Sequence, residues 1–225
     1  MFCTVLSMQS CTDEGEDGPS DCPIGYTGID CETLDSLAIQ TLLDEGKTPL
    51  ELMNDGVPLS GLYGKMYEGG LIFYLNENDG SGMVAATEDQ SEGARWGCLG
   101  DEIDGADGEA VGTGAQNTLD ILMGCTTSGT TTKICNDLEL NGYSDWFLPS
   151  KGELRLMWKN LADSDGDGYS SGAEHEGNIG NFAASFYASS TEYSTTSLWV
   201  QFFSSGLQLN DFKTGFHHVR AVRAF

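Results

Sequence analysis

The chain has 225 residues, enough for one large domain with an appendage or for two small domains. Its 35 acidic residues outnumber 10 basic ones, which gives a net charge of -25 at pH 7. Such a surface repels phosphate backbones and anionic headgroups, so it argues against nucleic acid as a partner and favours divalent cations. No run of residues reaches the apolar length of a membrane span.

The seven cysteines are many for a cytosolic protein, and they lack the paired spacing of a zinc site. Disulfides in an oxidising compartment explain them better, so we expect an extracellular or cell-surface protein. The opening "MFCTVLSMQSC" lacks the positive start of a secretion signal. "SMQSC" could instead end a lipoprotein signal, with Cys11 as the acylated residue.

Residues 1–32 are interpreted as a strand followed by a cysteine-bounded acidic loop region. The first ten residues are apolar and prone to β structure, so they could complete the sheet of a second copy through main-chain hydrogen bonds. The side chains assigned to this assembly strand are Phe2, Val5, Leu6 and Met8. A leftover signal segment and packing on the chain's own domain remain open alternatives.

The stretch "CPIGYTGIDC" resembles the last loop of an EGF-like module. This partial resemblance implies a disulfide between Cys22 and Cys31 and an extracellular setting.

Residues 33–61 predict a small helical collar. In "LDSLAIQTLLDEG" the apolar residues fall on one helical face and a glycine ends the run. In "TPLELMNDG" a threonine precedes a proline in the first turn, as at a helix start.

Residues 62–225 predict the main domain, which is rich in short strands. "GGLIFYL" and "MVAATE" flank a turn and predict a hairpin, and "SLWVQFF", "GLQLNDF" and "HHVRAVRAF" predict three further strands. Between these blocks, "PSKGELRLMWKNL" predicts a helix in which Ser150 and Glu153 form a capping box.

Several motifs then fall in one order: "GGLIFYL", "GMVAAT", "RWGC", "NGYSDWFLPSKGELRLMW", "YASSTEYSTTSLWVQFFSSG" and "VRAVRAF". Together they resemble the Lcl C-terminal domain family of bacterial surface proteins over residues 62–225. The resemblance implies a C-type-lectin-like fold, here of the α+β class, and an exported protein without established catalysis. "SDWFLPSKGEL" is also similar to a stretch of formylglycine-generating enzymes, but their essential C-terminal cysteines have no counterpart after Cys135.

The acid-rich stretch "DSDGDGYSSGAE" meets the EF-hand loop pattern without a gap. Alternate carboxylates converge as such a loop curls, and Gly168 permits the sharp bend. The predicted calcium ligands are Asp163, Asp165, Asp167, Tyr169 through its carbonyl group, and Glu174. Ser170 stands where a hydrophobic residue usually meets a partner loop, which favours a lone structural loop over a sensor pair. A solvated insertion without an ion is the alternative.

Cys125 and Cys135 enclose the short loop "TTSGTTTKI", and we predict a disulfide between them, worth about 2 to 3 kcal/mol. Cys98 could compete for either partner, and Cys3 with Cys11 is a further possible pair. An odd number of cysteines leaves one unpaired within the chain.

Other candidate chemistry is weaker. The loop "GDEIDGADGE" at 100–109 fits no metal template, so we expect it to be solvated. His175, His217 and His218 form no obvious metal trio or catalytic pair, and surface or packing roles are expected for each. No catalytic motif was found, so we predict no catalytic residues and no enzyme activity.

Two functional classes follow from these patterns. The first is a self-assembling subunit of a bacterial surface fibre, hardened by calcium and disulfides, whose partner is a copy of itself. The second is a lectin-like adhesin that binds a glycan or matrix polymer, with aromatic residues such as Trp199 and Tyr193 facing the sugar.

Overall fold

The structure, a computed structural model, describes residues 26–27, 33–172 and 174–225. Several predicted features lie outside this part of the chain: the assembly strand (Phe2, Val5, Leu6 and Met8), the Cys22–Cys31 pair, the possible Cys3–Cys11 pair and the possible acylation of Cys11.

The described chain begins with a short antiparallel pair and a helical region. These elements are β1 (Tyr26–Thr27), β2 (Thr33–Leu34), α1 (Ser36–Asp44), α2 (Pro49–Asn54) and α3 (Leu59–Leu62). The Asp35 side chain caps α1, and Thr48 and Glu51 form a capping box at the start of α2. The two helices predicted before residue 56 are therefore confirmed, and each begins where a side chain satisfies free backbone N–H groups.

The rest of the chain alternates short strands with helices. The strands are β3 (Met66–Tyr67), β4 (Gly70–Leu75), β5 (Gly82–Ala85), β6 (Ser91–Ala94), β7 (Phe186–Ser194), β8 (Ser197–Phe202), β9 (Leu207–Phe212), β10 (His217–Val219) and β11 (Val222–Ala224). The helices are α4 (Gly114–Gly124), α5 (Thr131–Asn136) and α6 (Lys151–Met157), and a π-helical turn (Trp158–Ala162) continues α6.

The strands from β3 onward form two sheets. An antiparallel sheet has the order β11-β5-β4-β3, and it contains the hairpin predicted from the two apolar runs. A second sheet has the order β6-β10-β7-β8-β9, in which only the pairing of β10 with β7 is parallel. Mixed sheets and separate helices make the fold α+β, as predicted.

The prediction of one C-terminal strand over "HHVRAVRAF" is wrong, because β10 and β11 belong to different sheets. The break falls at Arg220, whose buried guanidinium donates to Asp89 Oδ1 at 2.7 Å and to the carbonyl groups of Ala86 and Gly180, both at 3.0 Å. A buried arginine needs such partners, and reaching them turns the chain from one sheet to the other.

The core comprises two apolar clusters. One joins Ile39 and Leu52 of the helical region to Ile72 and Val200 of the sheets and to Trp96, which follows β6. The other packs the hydrophobic side of α6 and the π-helical turn against aromatic residues, namely Phe73, Phe147, Phe182, Tyr187 and Phe203. The segment 33–61 thus shares a core with the main domain, and α6 is held firmly at the point where the acid-rich loop begins.

Candidate metal centre

The acid-rich loop starts at the end of the helical segment formed by α6 and the π-helical turn. The predicted capping box is present: Ser150 Oγ accepts from Glu153 N, and the Glu153 carboxylate accepts from Ser150 N. Asp163 follows the last residue of the π-helical turn and is buried. The position of the first acid is therefore fixed by a well-packed helix.

Glycines and aspartates shape the bend of the loop. Gly166 and Gly168 have φ values of 74° and 81°, the left-handed region that favours glycine. Asp163 Oδ1 accepts from Gly168 N at 2.8 Å, and Asp167 Oδ1 accepts from Tyr169 N at 2.7 Å. These local bonds curl the chain as predicted at Gly168, so alternate carboxylates come to one side.

Three side chains converge inside the curl. Asp165, Asp167 and His175 place one ligand atom each within 4.8 Å of one another. His175 Nε2 lies 3.5 Å from Asp165 Oδ2 and 3.7 Å from Asp167 Oδ2. Gly177 completes the space, because a Cβ atom there would collide with the Asp165 carboxylate. Two carboxylates and one imidazole form a ligand set that divalent cations accept.

The imidazole of His175 supplies the structural test of whether a metal fits. Its Nε2 atom is buried and makes no hydrogen bond within the described residues. A buried polar atom without a partner costs free energy, and a metal ion would satisfy this one. The residues present therefore fit a cation.

The electrostatic environment of Asp163, the first acid of the loop, also favours a cation. Burial raises the pKa of Asp163, and the neighbouring carboxylates of Asp167 and Asp165 push the pKa further upward. Negative groups thus crowd this turn, and a divalent cation would relieve their repulsion.

The five predicted ligands have different positions in the loop. Asp165 and Asp167 belong to the converging group, whereas Asp163 lies beside it with one carboxylate oxygen bound to Gly168 N. The Tyr169 side chain is exposed. Glu174, predicted to close the shell, is exposed and outside the group.

His175 is the member of this group that the sequence analysis missed. It follows the last position of the loop template, so a pattern that stops at Glu174 does not include it. A sequence signal for His175 did exist, because it directly follows Glu174 in an acid-rich loop and imidazole is a common metal ligand.

The predicted Cys125–Cys135 disulfide is wrong. Cys125, just after α4, is bonded to Cys98, with their Cα atoms 5.7 Å apart. Cys135 is a free, buried thiol on α5, and burial raises its pKa. Its side chain is fully buried in the apolar core.

The aromatic pair named for sugar binding is partly covered. Tyr193 is exposed and meets Trp199 edge-on, with ring centroids 5.2 Å apart. Lys151 Nζ lies 3.4 Å from the Trp199 ring centroid and therefore occupies one face of the indole.

The other two histidines each contact a carboxylate. His217 Nε2 lies 3.0 Å from Asp211 Oδ2, and His218 Nδ1 lies 2.8 Å from Asp89 Oδ2. The second contact joins strand β10 to the loop before β6, so it also has a structural effect.

No family model matches this chain, and no curated protein matches it. Among the described residues, no helix is both long and apolar enough to cross a membrane. The Lcl resemblance and the C-type-lectin-like fold stay predictions based on the quoted motifs.

Proposed function

We propose that this chain is an exported, non-enzymatic structural protein whose acid-rich loop is braced by calcium and whose N-terminal stretch joins copies into a surface polymer. The observation that carries the proposal of a bound cation is the convergence of Asp165, Asp167 and His175, whose ligand atoms lie within 4.8 Å of one another. A cation bound by Asp165, Asp167 and His175 would connect the two ends of the loop and stabilise its bent conformation.

The position of the loop supports a bracing role. Ser164 donates to the Gly177 carbonyl through both its N–H group and its hydroxyl, at 3.0 and 2.7 Å. Ser170 N donates to the carbonyl of Ser204, in the turn between β8 and β9, at 2.9 Å. The loop therefore connects the π-helical turn to the larger sheet, and a cation would rigidify that connection.

Calcium is the ion we propose because carboxylates dominate this loop and the whole chain carries a net charge of -25. Calcium accepts six to eight oxygen ligands, of which water can supply several. An imidazole nitrogen is a ligand that zinc prefers, so zinc is the competing ion.

Export and self-assembly are supported by separate features. The Cys98–Cys125 disulfide suits an oxidising compartment. Residues 1–10 are apolar and carry no charged side chain, as a strand that adds to another sheet requires.

Thermal unfolding in the presence of cations tests the brace. Calcium at a hundredfold excess over its dissociation constant should stabilise the protein by about 2.7 kcal/mol, which corresponds to a rise of about 5 to 10 °C in Tm. The double substitution Asp163→Ala and Asp165→Ala should remove this rise.

The matched control replaces Asp104 and Asp107, exposed acids of the 100–109 loop, and should keep the full response. Magnesium and zinc are titrated in parallel to identify the preferred ion. If chelation leaves the Tm of the wild type unchanged, no cation braces this loop.

Negative-stain electron microscopy tests assembly. A variant that lacks residues 1–10 should remain monomeric under conditions in which the full chain polymerises. Polymers of unchanged length after this deletion would show that the N-terminal stretch does not join the copies.

A further inference from the structure

Strand β9 ends the larger sheet and offers a regular backbone edge. Its six residues pair with β8 in continuous register from Leu207↔Phe202 to Phe212↔Ser197, without a bulge. Within residues 33–172 and 174–225, no strand lies on its other side. An edge without a neighbouring strand can accept another strand.

The outward-facing backbone groups of β9 can be assigned. Lys213 N donates to the Thr196 carbonyl on the β8 side, whereas Phe212 N turns away and donates to Asp211 Oδ1. The Phe212 carbonyl accepts from Gly215 N at 2.8 Å, so this end of the edge is already hydrogen-bonded. Backbone groups alternate along an antiparallel ladder, so Gln208 and Asn210 also face outward. In the described part of the chain, no other residue hydrogen-bonds to the backbone of these two.

Other sheet edges are protected in ways that β9 is not. Strand β6 has four residues and a register shift against β10, β3 has two residues, and β11 has three. Strand β9 contains no proline, lysine or arginine. Its end residues Leu207 and Phe212 are 55% and 64% exposed, a combination that folded monomers usually avoid.

The chemistry of the partner strand is restricted by charge. Two copies of this chain repel each other, since each carries a net charge of -25. A joining segment must therefore carry no negative charge, and the exposed Leu207 and Phe212 favour an apolar segment of about six residues, the length of β9. Residues 2–8, "FCTVLSM", meet these conditions and contain no proline.

We propose that β9 is the acceptor edge to which residues 2–8 of a second copy add as a strand. This inference rests on the proposed function, because it assigns the partner surface of that assembly. The added strand would pair with the outward backbone groups of Gln208 and Asn210 and cover Leu207 and Phe212.

The test is Asn210→Pro in the full chain, with Asn210→Ala as the matched control. Proline removes the outward N–H group that an added strand needs, while the bonds to β8 remain. We expect N210P to reduce the sedimenting polymer at least tenfold and N210A to leave it unchanged. Circular dichroism and thermal unfolding confirm that both variants are folded.

A second variant, Leu207→Lys with Phe212→Lys, avoids proline and places charge on two exposed positions of the same edge. It should also block assembly, and a synthetic peptide of residues 1–10 with Cys3→Ser should shorten wild-type polymers. Both effects are expected because the lysine side chains and the peptide each prevent the N-terminal strand of a second copy from adding to β9.

The outcomes separate this inference from the proposed function. If deletion of residues 1–10 abolishes polymers but folded N210P and the lysine variant both polymerise normally, the N-terminal strand is a donor and β9 is not its acceptor. If β9 variants block assembly but the deletion does not, the edge binds a different segment and the assignment of residues 2–8 is wrong.

Discussion

The two acid-rich loops of this chain, residues 100–109 and 163–174, have similar compositions but are held in different ways. In the first, Ile103 and Ala106 are buried, and both are tied to the Glu192 residue of β7. Ile103 N donates to Glu192 Oε2 at 3.0 Å, and Glu192 N donates to the Ala106 carbonyl at 2.7 Å. The acids of this loop face solvent.

In the second loop the acids turn toward one another. Asp165 and Asp167 meet beside His175, and the local bonds come largely from the loop's own aspartates. Buried apolar residues anchor the first loop, whereas in the described part of the second the acids themselves converge. Two loops of similar acidic composition therefore have different structures, and the positions of their buried residues distinguish them.

The largest effect should come from the anchor of the first loop. Glu192→Ala would leave Lys213, fully buried and paired with Glu192, without its counter-charge. Breaking a buried pair on one side costs about 3 to 5 kcal/mol. Urea unfolding should show this loss, and the Tm gain from calcium should persist.

The control replaces both members by apolar residues of similar size, Glu192→Leu with Lys213→Met. It should recover most of the lost stability, because no charge is left buried. Equal losses in the single and double variants would mean that the anchor acts through hydrogen bonds to Ile103 and Asp101, not through charge.

The next effect should come from the disulfide that closes the first loop. Cys98→Ala opens a crosslink between residues 27 apart in sequence and should cost about 3 to 4 kcal/mol. Cys135→Ala is the comparison, since Cys135 has no disulfide partner. It should lose only its buried packing and retain the crosslink, which non-reducing peptide mapping detects. A Cys125–Cys135 peptide in the wild type would contradict this pairing.

Local signals in the sequence predicted much of the fold. The capping pair Ser150 and Glu153 located α6, and strand-prone runs bounded by turn residues located β4 and β8. The bend at Gly168 followed from its place in the loop pattern. Each of these features depends on residues that are close in the chain, so spacing alone determines them.

Features that depend on contacts between distant residues could not be predicted from local spacing. Arg220 splits the C-terminal strand by reaching Asp89, 131 residues earlier. Cys125 pairs with Cys98, 27 residues away, although Cys135 is nearer to it in sequence. His175 joins the metal group only because the loop closes on itself. These three features depend on which residues the fold brings together, and residue type and local spacing do not reveal that.

The buried carboxyl group of Glu153, on α6, should make the stability of the protein depend on pH. Burial raises the pKa of Glu153, whose carboxylate accepts from the N–H groups of Ser150, Gly112 and Gly114. The folded state then holds this proton more tightly than the unfolded state, so its contribution is complete below the unfolded pKa and falls as pH rises through the folded value.

We therefore expect the wild type to lose free energy of unfolding relative to Glu153→Gln as pH rises above the pKa of an ordinary glutamate. The loss should be small, because the three backbone N–H donors lower the pKa of Glu153 while burial raises it. Urea unfolding from pH 4 to 7 measures it, and a difference that stays constant or moves the other way would contradict the raised pKa.

Neutralising the acids should have different effects in the two loops, and the smallest effect of all is expected in the first. Asp104→Asn with Asp107→Asn removes solvated charges and should change stability by no more than about 0.5 kcal/mol, with or without calcium. Asp165→Asn with Asp167→Asn should stabilise the chelated protein slightly, because it removes repulsion, and should destabilise it relative to wild type once calcium is present. Such a reversal requires carboxylates that face one another across an ion. Parallel behaviour of the two pairs in both conditions would mean that the second loop is solvated like the first.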